Sequence, residues 1–104
     1  MMNNHRDFII IDDDVTFASL LVRALNRRNF SCESAHSSNQ ALQLLEKFCF
    51  ARAIIDLKLG ADSGLQLIRE LKTRQPGLEM VMLTGYSSIS TAVEAIKLGA
   101  VNYL

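Results

Sequence analysis

The sequence lacks three features that would each assign it to a particular class of protein. It has only two cysteines, Cys32 and Cys49, with neither a CxxC pair nor zinc-ligand spacing, which predicts buried free thiols in a reducing compartment. Eleven basic residues balance eleven acidic ones, so no net charge favours nucleic acid or an anionic membrane. No apolar run approaches the roughly 18 residues of a membrane span, and no signal-peptide core is visible. We therefore expect a cytoplasmic protein that does not bind nucleic acid directly or associate with membranes.

Strand and helix patterns alternate along the 104 residues, of which 49% are hydrophobic. Short apolar runs predict strands at residues 8–11, 53–57 and 80–83, with a weaker edge strand at 30–35 and a fifth starting at 101. Apolar positions three and four residues apart predict four helices. Their apolar faces are Phe17, Leu20, Leu21, Ala24 and Leu25; Ala41, Leu44, Leu45 and Phe48; Leu65, Ile68 and Leu71; and Ile89, Ala92, Val93 and Ile96.

The helix ends carry their own signals. Serines that can cap helix N-termini precede three of the four helices, Pro76 stops the third, and Gly99 closes the fourth. The capping candidates are Ser37 or Ser38, Ser63, and Ser87 or Ser88.

This order predicts an α/β fold of one domain spanning residues 1–104. Alternating strands and helices with short connections favour a doubly wound parallel sheet with right-handed crossovers. We assign the flavodoxin-like strand order 2-1-3-4-5. In that order the carboxyl ends of strands one and three are neighbours, at the edge where such sheets bind ligands.

Two of the predicted strands end in acidic residues, which places a candidate site at this edge. Asp12 and Asp13 follow strand one, and Asp56 ends the apolar part of strand three. Two carboxylates about 4 Å apart repel by roughly 4 kcal/mol at an effective dielectric near 20, so the cluster either raises a pKa or holds a cation. Oxygen ligands alone favour Mg²⁺ or Mn²⁺. Thr84 brings a hydroxyl to the same edge from strand four.

Four segments, residues 9–14, 54–59, 83–85 and 97–104, together resemble the receiver domain of two-component response regulators. The resemblance implies that Asp56 accepts a phosphoryl group from a sensor histidine kinase. It also implies that Asp12 and Asp13 hold Mg²⁺ beside Asp56, together with the backbone carbonyl of Lys58.

The same resemblance implies two further roles and an output. Thr84 would bind a phosphoryl oxygen, and Tyr103 would be an aromatic switch that turns inward with it. Residues 57–60 and 92–100 are similar to redox-responsive transcriptional regulators, whose separate output domain binds DNA through a helix-turn-helix.

Receiver domains also have a lysine two residues beyond the position of Leu104 and a fifth helix after it, neither of which this sequence contains. Without that helix, we expect an apolar face to stay open to solvent, the chain to self-associate and phosphorylation to be slow.

Other interpretations of the same residues stay open. Asp12 and Asp14 with Thr16 fit the D-x-D-x-T signature of haloacid-dehalogenase-like phosphatases, with Asp12 as nucleophile and Asp14 as general acid. Against this, the signature leaves Asp56 without a role. A phosphorylation-independent interaction module is the third alternative. In the receiver interpretation, Asp14 is a first-turn residue of helix one. His5 and His36 are expected at the surface, since neither has a partner at ligand spacing.

Overall fold

The computed structural model of the protein describes residues 4–56, 64–83 and 102–103. Up to residue 83, its elements alternate as the sequence predicts. In chain order they are β1 (His5–Ile11), α1 (Val15–Asn26), β2 (Cys32–Ala35), α2 (Ser38–Lys47), β3 (Cys49–Asp56), α3 (Gly64–Arg74), β4 (Glu79–Leu83) and β5 (Asn102–Tyr103).

The strands form one parallel sheet in the order β2-β1-β3-β4-β5, so the predicted order and the edge position of β2 are confirmed. The apolar run that predicted β1 lies at the centre of the sheet, where Ile9, Ile10 and Ile11 are all buried. A strand covered on both faces needs apolar side chains at successive positions, which explains the unbroken run. The doubly wound architecture follows, with helices on either side of the sheet.

β1 and β3 each begin at least three residues earlier than the sequence predicted. β1 begins at His5 rather than at residue 8, and β3 begins at Cys49 rather than at residue 53. Both extensions contain charged residues, which end an apolar run but are tolerated in a strand when they are paired across the sheet. Arg6 Nε lies 3.3 Å from a carboxylate oxygen of Glu33 in β2, and the Arg6 guanidinium lies over a phenylalanine ring.

Each of the first two helices begins at a side chain that accepts a backbone hydrogen bond. Ser37 accepts from the Gln40 N–H at the start of α2, as predicted. Asp14 is the N-cap of α1 and accepts from the Phe17 N–H at 3.0 Å, so it lies just before the first turn rather than within it. α3 ends at Arg74, before Pro76, as predicted.

The predicted apolar face of α1 is wrong in part. Leu21 and Leu25 do pack against the sheet, but Phe17 and Leu20 are 42% and 57% exposed. Ala18 is fully buried in their place, because a small side chain lets the helix lie close to the strands. Overlapping apolar stripes on one helix made the choice ambiguous from the sequence.

The core lies on both faces of the sheet. One face is covered by α2 and α3 and the other by α1, and alternate residues along β1 and β3 point to opposite faces. The predicted faces of α2 and α3 are confirmed where their side chains are described, and Met80 is a core residue as expected. The α2–α3 side contains Ile9, Ile11, Ala35, Ala41, Leu45, Phe50, Ala53, Ile55, Leu67, Ile68, Leu71, Leu78 and Met80, and the α1 side contains Phe8, Ile10 and Ala18.

A side-chain amide joins the end of α3 to the start of β3. Gln75 Oε1 accepts the Phe50 N–H, and Gln75 Nε2 donates to the Phe48 carbonyl, each at 3.0 Å. The two bonds satisfy backbone groups at the beginning of the strand, much as a neighbouring strand would. α3 is thereby attached to β3 at the end of the strand opposite Asp56.

The cysteines are free thiols, as predicted, but they are not both buried. Cys49 is exposed at the first position of β3, and Cys32 is half-buried in β2. Burial raises the pKa of the Cys32 thiol, and nearby Asp7 and Glu33 raise it further.

Several predictions fall outside the described residues. They are the cap at Ser63, the fourth helix with its caps at Ser87 or Ser88 and Gly99, and the last residue of the predicted third strand, Leu57. Within the described part of the chain, none of the helices has the length and apolar character needed to cross a bilayer.

Candidate functional site

The strand register brings two acidic residues side by side at the carboxyl end of the sheet. Ile11 of β1 pairs with Ile55 of β3, and each is followed directly by an aspartate. Adjacent strands lie about 4.8 Å apart, so the backbones at Asp12 and Asp56 are neighbours across the sheet. The predicted convergence of strands one and three is therefore present.

Asp13 completes a group of three carboxylates. Asp12, Asp13 and Asp56 each offer an oxygen, and the three oxygens lie within 4.8 Å of one another. The side chains differ in exposure, since Asp12 is buried, Asp56 is half-buried and Asp13 is exposed. One member of the group is therefore buried and another is open to solvent. Asp56 lies between these extremes and can be reached by a molecule from solvent.

Backbone hydrogen bonds hold Asp12 in place. Its N–H donates to the Ala35 carbonyl of β2 at 3.0 Å, which extends the sheet by one bond beyond β1. Its Oδ1 accepts the Asp14 N–H at 2.9 Å, and this bond holds the buried carboxylate close to the start of α1.

Burial and like charge act together on Asp12. Burial raises the pKa of the Asp12 carboxyl above its ordinary value, and the charges of Asp56, Asp13 and Asp14 raise it further. The hydrogen bond from the Asp14 N–H lowers the same pKa, but it does not offset the burial. The folded chain thus holds a carboxylate at a position where its negative charge is disfavoured.

A bound cation would offset this unfavourable negative charge. A divalent ion bound between the three oxygens would neutralise the charge that burial and repulsion disfavour, and hard cations prefer such oxygen ligands. Among the residues that the structure describes, the group offers three carboxylates and no sulfur or imidazole ligand, which favours Mg²⁺, Mn²⁺ or Ca²⁺ over softer metals. The donor set therefore fits the divalent metal expected from the sequence.

Asp14 lies next to this group but is not one of its members. Its carboxylate caps α1 by accepting the Phe17 N–H. This capping bond explains the third consecutive aspartate in structural terms. A role for Asp14 as a general acid would compete with the cap.

His36 is the residue near the site that sequence reasoning missed. It was expected at the surface without a partner, but it is half-buried and its Nδ1 lies 3.0 Å from the Asp12 carbonyl oxygen. A carbonyl can only accept, so Nδ1 carries the proton and donates. The strand order offered a signal, because His36 directly follows β2 and the neighbouring β1 leads directly into Asp12. His5 lies at the other end of β1, 3.6 Å from Asp7, and is exposed as predicted.

The structure does not describe the side chains of three predicted site residues. Lys58 and Thr84 lie outside the described residues, and so does the side chain of Tyr103. The backbone of Tyr103 is described in β5, where it pairs with Met82 of β4 two residues before Thr84.

The raised pKa of Asp12 predicts how stability depends on pH in the metal-free protein. The folded chain binds the Asp12 proton more tightly than the unfolded chain, so the free energy of unfolding falls as the pH rises from the ordinary carboxyl range through the raised pKa. Asp12→Asn removes the charge, and its amide oxygen still accepts the Asp14 N–H. We expect this variant to be more stable than the wild type at neutral pH with EDTA present, as measured by urea unfolding.

The same comparison at acidic pH is the control. There the wild-type carboxyl is protonated, so the advantage of Asp12→Asn should shrink. A variant less stable than the wild type at neutral pH would contradict the assignment of an unfavourable charge to Asp12.

Comparison with known proteins gives one consistent family. The sequence profile of the response regulator receiver domain matches residues 8–104. The photosynthetic apparatus regulatory protein RegA of Rhodobacter capsulatus is 37% identical over 103 residues, which are 99% of this chain and 56% of RegA. The acid tolerance regulatory protein ActR of Sinorhizobium medicae is 40% identical over 99 residues, 95% of this chain and 51% of ActR. The chain thus spans about half the length of these relatives.

A solved structure agrees in fold and sequence. A response regulator protein from Burkholderia pseudomallei, crystallised with a phosphorylated aspartic acid, a calcium ion and citrate, superposes with a TM-score of 0.91. It is 46% identical, and the match covers 95% of this chain and 58% of that one. The flavodoxin-like fold assigned from the sequence is therefore confirmed.

Proposed function

Because this chain belongs to the response regulator receiver domain family of two-component systems, we propose that Asp56 is the residue that accepts the phosphoryl group. The observation that carries the proposal is the convergence of Asp12, Asp13 and Asp56, whose carboxylate oxygens lie within 4.8 Å of one another at the carboxyl edge of the sheet. Asp56 is the half-buried member of the three, fixed by β3 yet open to a donor.

The chemistry follows from this placement. A carboxylate oxygen of Asp56 attacks the phosphorus of the donor, the bond from phosphorus to the donor atom breaks, and an acyl phosphate forms on Asp56. Phosphoryl transfer depends mostly on positioning and charge neutralisation, so the protein needs to supply little beyond these two. The end of β3 supplies the position. In this role the chain is a signalling phosphoacceptor that assists its own phosphorylation and dephosphorylation, and not a metabolic enzyme.

We assign the metal as Mg²⁺, with Mn²⁺ as a substitute. Asp12 and Asp13 would hold it beside Asp56, and the carbonyl of Lys58 would supply a further oxygen. When bound, the ion supplies neutralisation of the charge on the transferring group. The carboxylate-only donor set and the raised pKa of Asp12 support this assignment.

Two further roles complete the proposal. Thr84 binds an oxygen of the phosphoryl group, and Tyr103 changes the orientation of its ring when Thr84 does so. Support comes from the position of β5, which lies beside β4 and carries Tyr103 near the end that leads to Thr84.

The partners we propose are those of a signalling receiver. A sensor histidine kinase donates the phosphoryl group, and a separate domain that binds DNA carries the transcriptional output, since relatives named as regulatory proteins are about twice as long. The receiver itself does not bind nucleic acid or membrane. A reducing, cytoplasmic location fits its two free thiols. Self-association stays a prediction.

One experiment tests the proposed function. The protein is exposed to acetyl phosphate with Mg²⁺, and in parallel with EDTA, and its intact mass is measured before the modified residue is mapped by peptide fragmentation. We expect one phosphoryl group, on Asp56, formed only with the metal. A phosphoryl group on Asp12 would instead favour the phosphatase interpretation, and no modification at all would favour an interaction module.

A further inference from the structure

The contact between His36 and Asp12 was not part of the predicted site, which was inferred from its carboxylates. His36 Nδ1 donates to the Asp12 carbonyl at 3.0 Å, although His36 follows β2 and Asp12 follows β1. The bond is to the backbone rather than to the carboxylate. It therefore acts on how the Asp12 main chain is oriented.

The bond lies where the sheet hydrogen bonding stops. The last register pair of β1 and β2 is Ile11 with Ala35, and one further bond runs from the Asp12 N–H to the Ala35 carbonyl. Beyond that point the second strand turns away, because Ser37 is the N-cap of α2. The His36 ring supplies the donor that a further strand residue would have supplied to the Asp12 carbonyl.

The Asp12 carbonyl shares a peptide group with the Asp13 N–H. A peptide group is planar, so a bond that fixes its carbonyl also fixes the plane between the two residues. The directions in which the Asp12 and Asp13 side chains leave the backbone depend on that plane. A bond on the Asp12 carbonyl thus limits the directions in which both side chains leave the backbone.

The backbone that carries the imidazole is held at the start of α2. The His36 backbone N–H donates to Oε1 of Gln40 in α2 at 2.8 Å, and the Gln40 N–H donates to the Ser37 hydroxyl. These bonds fix the residue to the first turn of α2. His36 therefore connects the start of α2 to the peptide between Asp12 and Asp13.

We propose that His36 is a positioning residue, which holds the peptide plane between Asp12 and Asp13 in the orientation where their carboxylates converge with that of Asp56. This inference rests on the proposed function, because it takes the three carboxylates to be the metal site. It adds that the site extends to β2 and α2 through a hydrogen-bond donor rather than through another acid.

A matched pair of variants tests the proposal. His36→Asn places an amide N–H close to the position of Nδ1, whereas His36→Leu has nearly the same size as asparagine and no donor. Mg²⁺ affinity is measured by titration calorimetry, and the amide signal of Asp13 is followed by NMR without metal. His5→Leu removes a histidine from the opposite end of β1 and is the control.

We expect His36→Leu to weaken Mg²⁺ binding about three- to tenfold, as the loss of one hydrogen bond would, and to shift the Asp13 amide signal. His36→Asn should restore both towards wild type, and His5→Leu should change neither. Should His36→Leu fail to fold by thermal melting, His36→Phe takes its place, because it supplies a planar ring without a hydrogen-bond donor.

The results that would contradict the role of His36 differ from those that would contradict the metal site. Equal weakening in the leucine and asparagine variants, or no weakening in either, overturns the role of the His36 hydrogen bond while the proposed function stands. A wild-type protein that binds no Mg²⁺ overturns the metal site and this inference together.

Discussion

Asp56→Asn is expected to abolish phosphorylation by acetyl phosphate. Asparagine has the shape of aspartate but no negatively charged oxygen to attack phosphorus, and removal of a nucleophile lowers a rate by more than about 10³-fold. The fold should be unaffected, because Asp56 ends β3 and is only half-buried. Intact mass measured over time, with Mg²⁺ present, gives the result directly.

Asp14→Asn is the matched control for that experiment. It makes the same chemical change two residues from Asp12 but outside the group of three carboxylates. Asparagine also caps helices well, so α1 should keep its N-terminus. We expect this variant to be phosphorylated like the wild type. Persistence of the phosphoryl group in Asp56→Asn, and its loss in Asp14→Asn, would reverse our assignment in favour of the phosphatase interpretation.

Asp13→Ala is expected to weaken Mg²⁺ binding by at least about tenfold, since loss of even an outer partner of a metal site typically weakens affinity 10- to 100-fold. Asp13 is the exposed member of the group, so its removal should not disturb the core. Calorimetric titration of the folded protein measures the change.

Asp14→Ala separates a metal effect from a helix effect. It removes the N-cap of α1, which should lower the free energy of unfolding by about 1 kcal/mol without changing Mg²⁺ affinity. If both alanine variants bound the ion as tightly as the wild type, Asp13 would not be a ligand. If Asp14→Ala alone lost the ion, the carboxylate next to the group would have been misassigned.

The sequence predicted the sheet well because its strongest signals are local. Three consecutive isoleucines before Asp12 mark a strand buried on both faces, and the apolar run Ala53-Ile54-Ile55 before Asp56 marks its neighbour. Once the strand order was chosen, the meeting of the acidic residues followed from geometry.

The features that the sequence did not reveal depend on contacts between elements that are distant in the chain. Whether Phe17 or Ala18 faces the strands is decided by how closely α1 approaches the sheet, and both positions fit an apolar stripe. The bond from His36 to Asp12 joins residues 24 positions apart, and neither residue type alone indicates it. Asp7 and Arg6 precede the apolar run of residues 8–11, yet both lie in β1, where Arg6 is paired with Glu33.

The attachment of Gln75 to β3 has a mechanical consequence. The chain leaves β3 at Asp56 and returns through α3, whose far end is fastened by Gln75 to the Phe48 carbonyl and the Phe50 N–H at the start of the same strand. α3 is thus held to β3 at its C-terminal end by Gln75 and along its length by the buried Leu67, Ile68 and Leu71. Asp56 is therefore carried by a strand whose opposite end is tied to the helix that follows it in the chain.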